Sequence, residues 1–221
     1  FGGALVNEKG DITVKTDAVR QWLEFYKKLM AFMPKDVTAW DDSSNNKWLV
    51  SGNGALIMNP PSSWAVAKRD APKIAEQCWT HGMPAGPKGR FSPFLPFFWS
   101  VWSFSKNKAA AKSLLVHLSQ PEQAEAMVNA SGGYDLPSFA NMSKFKVWAE
   151  EGPPKGTIYH YANPYGFDTW SIAGAPAPPK IAQQIYAQAT LTKMCVRYGQ
   201  GEAMEKTLAW AESEVEGFMR T

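Results

Sequence analysis

Two short stretches gather the residue types that hydrogen-bond to, and stack on, a polyhydroxylated molecule. Asn59-Pro60-Pro61-Ser62-Ser63-Trp64 follows the apolar run Ala55 to Met58, which reads as a buried strand, and Trp64 to Arg69 reads as the start of a short helix. In α/β sheets ligands collect beyond the carboxyl ends of strands, where a helix amino terminus offers free N–H groups. Asn59, Ser62 and Ser63 could there exchange hydrogen bonds with hydroxyls, with Trp64 as a flat apolar face beneath a ring. Trp64 has a second reading, as a staple holding its helix to the core. The other stretch is Trp40-Asp41-Asp42, where carboxylates can accept hydrogen bonds from paired hydroxyls and the neighbouring indole can stack on the same ring. A solvated loop is the plainer reading of it.

Further aromatic candidates lie downstream. Phe94 to Phe104 is a strand-like run interrupted by Pro96, and strand alternation would put Phe98 and Ser100 on one face and Trp99 on the other. Tyr165, Phe167 and Trp170 sit in a loop punctuated by Gly and Pro, as lining for a cleft or as a lid over the core. His81, His117 and His160 show neither H-x-x-H nor Cys-His spacing, so no metal and no cofactor is expected. Catalysis is the rival chemistry, and a carbohydrate-active hydrolase its sensible form. Asp41 with Asp42, or Glu150 with Glu151, would be the carboxylates. Adjacent residues of extended chain point to opposite faces, so neither doublet flanks one bond. No G-x-S-x-G elbow, P-loop or G-x-G-x-x-G follows a strand.

The elements that must position these residues are short strands alternating with amphipathic helices, an α/β layer pattern. A polar hairpin signal spans Asn7 to Asp11. Thr16 then reads as the N-cap of a helix carrying Val19, Trp22, Leu23, Tyr26, Leu29, Met30 and Met33, ended by Pro34. Asn107 reads as the cap of a helix with Ala110, Ala111, Leu114, Leu115 and Leu118 on one face. Ser119-Gln120-Pro121-Glu122 reads as a capping box for the next, which Gly132-Gly133 closes. Tyr134 to Pro179 is loop-rich, and two helices are expected to finish the chain, the last with Met204, Leu208, Ala211, Val215 and Phe218 at helical spacing.

Composition narrows the partners. In 221 residues the formal net charge is +3 and the Lys and Arg residues are scattered, which argues against nucleic acid. The longest apolar stretches fall far short of a bilayer-spanning helix. Cys78 and Cys195 are too few for a disulfide framework; two small buried side chains is the plain reading, and one bridge stays open. No leader pattern opens the chain, and Phe1-Gly2-Gly3 reads as the middle of a longer one.

Several motifs fall in an order that resembles the family 1 extracellular solute-binding proteins, the group containing maltose-binding protein. Gly2-Gly3, the Asp11 turn and the long helix resemble the entry into that family's second lobe. Asn45 to Met58 resembles its short helix, Gly turn and apolar strand. Pro84 to Gly89 looks like its loop before the interlobe crossing, Ser105 to Lys112 and Ser119 to Gln123 like the next two helix starts, and Tyr198-Gly199-Gln200-Gly201 to Leu208 like its closing motif. Phe98-Trp99-Ser100 departs from the Gly pair that many relatives carry beside the crossing.

The resemblance implies a periplasmic binding protein-like fold of type II, a second lobe plus helices of the first. Residues 1–96 and 156–221 would form the second lobe, and 97–155 a helical segment packing on a missing amino-terminal lobe. It implies a periplasmic binder, not an enzyme, that captures a sugar or polyol and delivers it to an ABC permease in the membrane. A phosphorylated polyol or other polar anion is the alternative solute. Trp40, Asp41, Asn59, Ser62, Ser63, Trp64, Phe98, Trp99 and Tyr165 are the expected ligand-binding residues.

Overall fold

Asn7 organises the first turn of the chain in the computed structural model, which describes residues 1–94, 96–150, 169–171, 174 and 176–220. Its side-chain oxygen accepts the N–H groups of Lys9 and Asp11, each at 2.9 Å, and its Nδ2 donates to the Asp11 carboxylate. A carboxamide that satisfies the backbone in this way fixes the turn, and Val6 and Ile12 form the antiparallel bridge of the expected hairpin.

In chain order the helices are α1 (Asp17–Met30), α2 (Ser44–Val50), α3 (Ser62–Asp70), α4 (Pro72–Ala75), α5 (Lys108–Leu118), α6 (Pro121–Ala130), α7 (Val147–Glu150), α8 (Pro179–Ala187), α9 (Thr190–Gly199) and α10 (Met204–Met219). Two three-residue strands, β1 (Ser92–Phe94) and β2 (Thr169–Ser171), pair in parallel with Ser92 opposite Thr169 and Phe94 opposite Ser171. The chain clusters into two compact units. The first is Phe1–Ala39, Met83–Leu95 and Asp168–Thr221; the second is Trp40–Gly82 and Pro96–Phe167. Residues 40–82 therefore cluster with the chain that follows 96, a grouping different from the stretches expected above. No helix among the described residues is long and apolar enough to cross a membrane.

The first unit follows its helical periodicity. Val19 and Leu23 of α1 turn inward, while Asp17 in the first turn and Lys27 and Lys28 in the last suit the helix dipole. Thr16 occupies the cap position in extended geometry, but its hydroxyl makes no cap hydrogen bond, and the helix stops at Met30, short of Met33. Leu208, Ala211 and Val215 of α10 are fully buried and share a core with Leu23 and Met194. Each large apolar side chain buried this completely stabilises the fold by roughly 1.5–3 kcal/mol. The Trp22 indole N–H donates to Cys195 Sγ at 3.2 Å. Burial pushes the Cys195 thiol up to about 11 against the opposing pull of that hydrogen bond, and both cysteines are free thiols. Three helices, not two, finish the chain, because Ala189 between α8 and α9 takes a left-handed φ of 51°. A helix cannot continue through that conformation.

The second unit departs further from its sequence pattern. Ala55 to Met58 is not a buried strand: it is irregular, and Leu56 is 84% exposed. An apolar run becomes a strand only where a neighbouring strand takes up its backbone groups, and here the Met58 carbonyl accepts a side-chain amide instead. The aromatic run after β1 is likewise irregular from 96 to 104, with Phe97, Phe98, Trp99, Trp102 and Phe104 all exposed, so strand alternation does not sort their faces. Helix α5 forms where expected yet buries none of its residues, and Asn107 makes no side-chain cap bond. The Ser119 hydroxyl turns back to the carbonyls of Leu115 and Val116 rather than forward into α6, so the expected capping box does not form. Gly132 and Gly133, with φ of 67° and 86°, close α6 as expected, the Gly133 N–H reaching the Val128 carbonyl at 2.8 Å.

Candidate functional site

Asp41 organises the turn that leads into α2. One carboxylate oxygen, Oδ1, accepts the Ser43 N–H at 2.9 Å and the hydroxyls of Ser43 and Ser44 at 2.8 and 2.7 Å, while the Asp41 N–H donates to Ser44 Oγ at 3.0 Å. This reciprocal arrangement fixes the turn that leads into α2, whose cap residue, Ser43, makes no side-chain cap bond. The hydroxyls of Ser44 and Ser43, then the Ser43 N–H, hold the carboxyl at about 2. Asp41 is therefore ionised at any ordinary pH, with Oδ1 already engaged.

Next on the helix, Asn45 ties α2 to the loop before α3. Its Nδ2 donates to Asn59 Oδ1 at 2.8 Å and to the Met58 carbonyl at 3.1 Å. Asn59 in turn donates to the Pro60 carbonyl at 2.9 Å and to Ser62 Oγ at 3.2 Å. Asn46 adds a buried side-chain oxygen with no hydrogen-bond partner among the described atoms, an acceptor left to be satisfied. Trp48, in the last turn of α2, packs on Trp40 from the segment before the helix, ring centroids 5.5 Å apart and planes at 49°, both indoles half-buried. Tilted contact of this kind suits the quadrupoles of two aromatic rings.

Of the expected residues, Trp40, Asp41, Asn59 and Ser62 are thus joined through α2. The two residues that join them, Asn45 and Trp48, were missed by sequence reasoning. The available signal was the i, i+3 spacing of Asn45 and Trp48 once α2 is placed. Ser63 and Trp64 point the other way, into the interior of the second unit. Trp64 is 8% exposed, and its indole N–H donates to the Ala75 carbonyl at 3.3 Å, packing α3 against α4. This is the staple reading. Ser63 Oγ lies 3.4 Å from the Pro60 carbonyl. Phe98 and Trp99 belong to the separate exposed run, at 83% and 69% exposure. Tyr165 and Phe167 lie outside the described residues.

The first unit holds a cavity of about 220 Å³ between the amino-terminal strip Phe1 to Leu5, Trp22 of α1 and Ile185 of α8. Its lining is mostly apolar and includes none of the expected ligand residues. Among the described residues no group of three or more His, Cys, Asp or Glu side chains is arranged to hold a metal ion.

Comparison with known proteins adds three findings. Residues 2–154 match the model of a family described as bacterial extracellular solute-binding protein. A candidate ABC transporter-binding protein of Deinococcus radiodurans is 30% identical over 162 residues, which cover 72% of this chain and 38% of that protein. A candidate oligosaccharide periplasmic-binding protein from Synechococcus sp. MITs9220, solved in complex with zinc, superposes with a TM-score of 0.58 at 13% identity, covering 98% of this chain and 55% of that one. The fold is thus that of a periplasmic-binding protein, in part. The chain spans well under two thirds of the length of both relatives.

Proposed function

Because the chain belongs to the bacterial extracellular solute-binding proteins, we propose that it captures a sugar or related polyol for an ABC importer and hands it to the membrane permease. Family membership carries with it a periplasmic place of work. The observation that supports the solute class is the cluster on α2: carboxamides of Asn45 and Asn59 and the Ser62 hydroxyl beside the Trp40–Trp48 pair. Carboxamides and hydroxyls both donate and accept, which matches a ligand of many hydroxyls, and indoles offer flat faces to its C–H groups. Phe98 and Trp99 are further stacking surfaces in this proposal, being large aromatics exposed to solvent.

Binding without catalysis is part of the same reading. A general base needs a proton affinity near the working pH, and the hydrogen bonds of Ser44 and Ser43 hold the Asp41 carboxyl at about 2. Capture would proceed by closure, the solute favouring a closed form through contacts the open form lacks, and that form docking on the permease. Residues 97–155 would pack on an amino-terminal lobe of the longer protein. The unburied α5 and the exposed aromatics before it support that placement.

Titration of the full chain with maltose, sorbitol and glucose 6-phosphate, followed by tryptophan emission, tests the solute class. A saturable change with maltose or sorbitol supports it. A response to glucose 6-phosphate alone would instead make the solute an anion, and silence toward all three would remove the sugar reading.

A further inference from the structure

The Trp40–Trp48 pair depends on a residue that carries no side chain. Trp48 lies across the backbone of the turn that follows its own helix, and a Cβ placed on Gly54 would fall inside the indole, overlapping Nε1 and Cδ1 and lying 2.8 Å from Cε2. No small adjustment of the ring accommodates that; the indole must leave. The turn is also pinned from below. The Ser51 hydroxyl donates to the Trp48 carbonyl at 2.9 Å, Asn53 Nδ2 donates to Ser51 Oγ at 2.9 Å, and the Gly52 N–H reaches the Leu49 carbonyl at 3.0 Å. Residue 54 is therefore held close beneath the ring, and the absence of a side chain there decides where the ring lies.

We infer that Gly54 is a positioning residue for solute recognition: it seats Trp48 against Trp40 and so sets the aromatic wall beside Asn45 and Asn59. The inference rests on the proposed sugar or polyol site for its functional half; the seating of the indole stands on geometry alone. The requirement at 54 is for space, since Gly54 is not among the glycines with positive φ. Any side chain, alanine included, should then act through Trp48 and only through Trp48.

The experiment is a double-mutant cycle in the full chain with Gly54→Ala, Trp48→Ala and both together. Two indoles in contact couple their transitions into a far-ultraviolet circular dichroism couplet, and Trp40→Phe assigns it to this pair. Gly54→Ala should abolish the couplet and weaken binding of maltose or sorbitol about tenfold, in the range of a lost aromatic contact. If Gly54→Ala unfolds the second unit, adding Trp48→Ala should restore the melting point to that of Trp48→Ala itself. An intact couplet in Gly54→Ala, or a double variant no more stable than Gly54→Ala, overturns the inference. Where wild-type chain binds none of the solutes, the sugar reading falls, and the couplet and the cycle still decide whether Gly54 seats Trp48.

Discussion

The two units hold themselves together by different means. In the first, Leu23, Met194, Leu208 and Val215 bury completely and four helices share one apolar interior. Among the described residues of the second, one buried cluster is Trp64, Ala67 and Ala75, with Val50, Cys78 and Trp148 partly covered, Ala124, Val128, Met142 and Val147 are buried apart from it, and much of the organisation around α2 comes from side-chain hydrogen bonds. Non-directional burial fixes helices firmly, whereas short polar ties and a small core leave segments that open at lower cost. The groups that the proposal assigns to a polar solute are on the second unit, where the described core is in smaller pieces. A binding site needs exposed donors, acceptors and aromatic faces, and each of those is surface withheld from a core.

The contrast can be broken at its strong end first. Leu208→Ala should cost about 3 kcal/mol, measured by urea unfolding of the full chain, since it removes a fully buried side chain among packed neighbours. A cost below about 1 kcal/mol would mean the first unit's core is not what supports it. In the second unit, Asn45→Ala deletes the two hydrogen bonds to the loop before α3 and the one its Oδ1 accepts from the Asn46 N–H, and should cost about 1–2 kcal/mol, with faster hydrogen exchange at the amides of Ser63, Trp64 and Ala65. Unchanged exchange there would show that α2 and the loop before α3 are joined by something other than this carboxamide.

Smaller effects sharpen the comparison. Ala189→Gly should stabilise the first unit by about 0.5–1 kcal/mol, because glycine adopts a φ of 51° without the clash of a Cβ; a lowered melting point would count against the left-handed turn. The smallest effect concerns Asp41. Its carboxyl falls from an ordinary 3.8 to about 2 on folding, so its contribution is present above 3.8 and disappears as pH drops through about 2. Wild type and Asp41→Asn should therefore differ by a constant amount above pH 4, and the difference should shrink between pH 4 and pH 2. A difference that persists at pH 2, read from acid unfolding curves, would assign the loss to shape rather than charge. The group is fully exposed, so the contribution is modest.

Helical period carried most of what could be read in advance. The apolar positions of α1 and α10, the glycine pair closing α6 and the Asn7 turn are local patterns, decided by residues within a few positions of one another. Strands were misread for the complementary reason. Ala55 to Met58 and the run after Phe94 are apolar and extended in preference, but a ladder needs a partner supplied from elsewhere in the chain. Around α2 the structure brings together Trp40, Asp41, Asn59 and Ser62, four residues that residue type had put forward from two separate stretches. Type alone could not tell that Trp64 would turn inward, nor that Asn45 and Trp48 would be the connecting pieces.

Sequence by itself determined which segments become helices and which chemical groups are on offer, because backbone propensity, turn chemistry and the number of donors on a side chain are properties of the residue and its near neighbours. Only the tertiary structure decided the direction each group faces. Trp48 lies over Gly54 and Trp64 packs α3 against α4 because successive elements compete for the same space once they are folded together, and residue type does not say which of two tryptophans will turn inward.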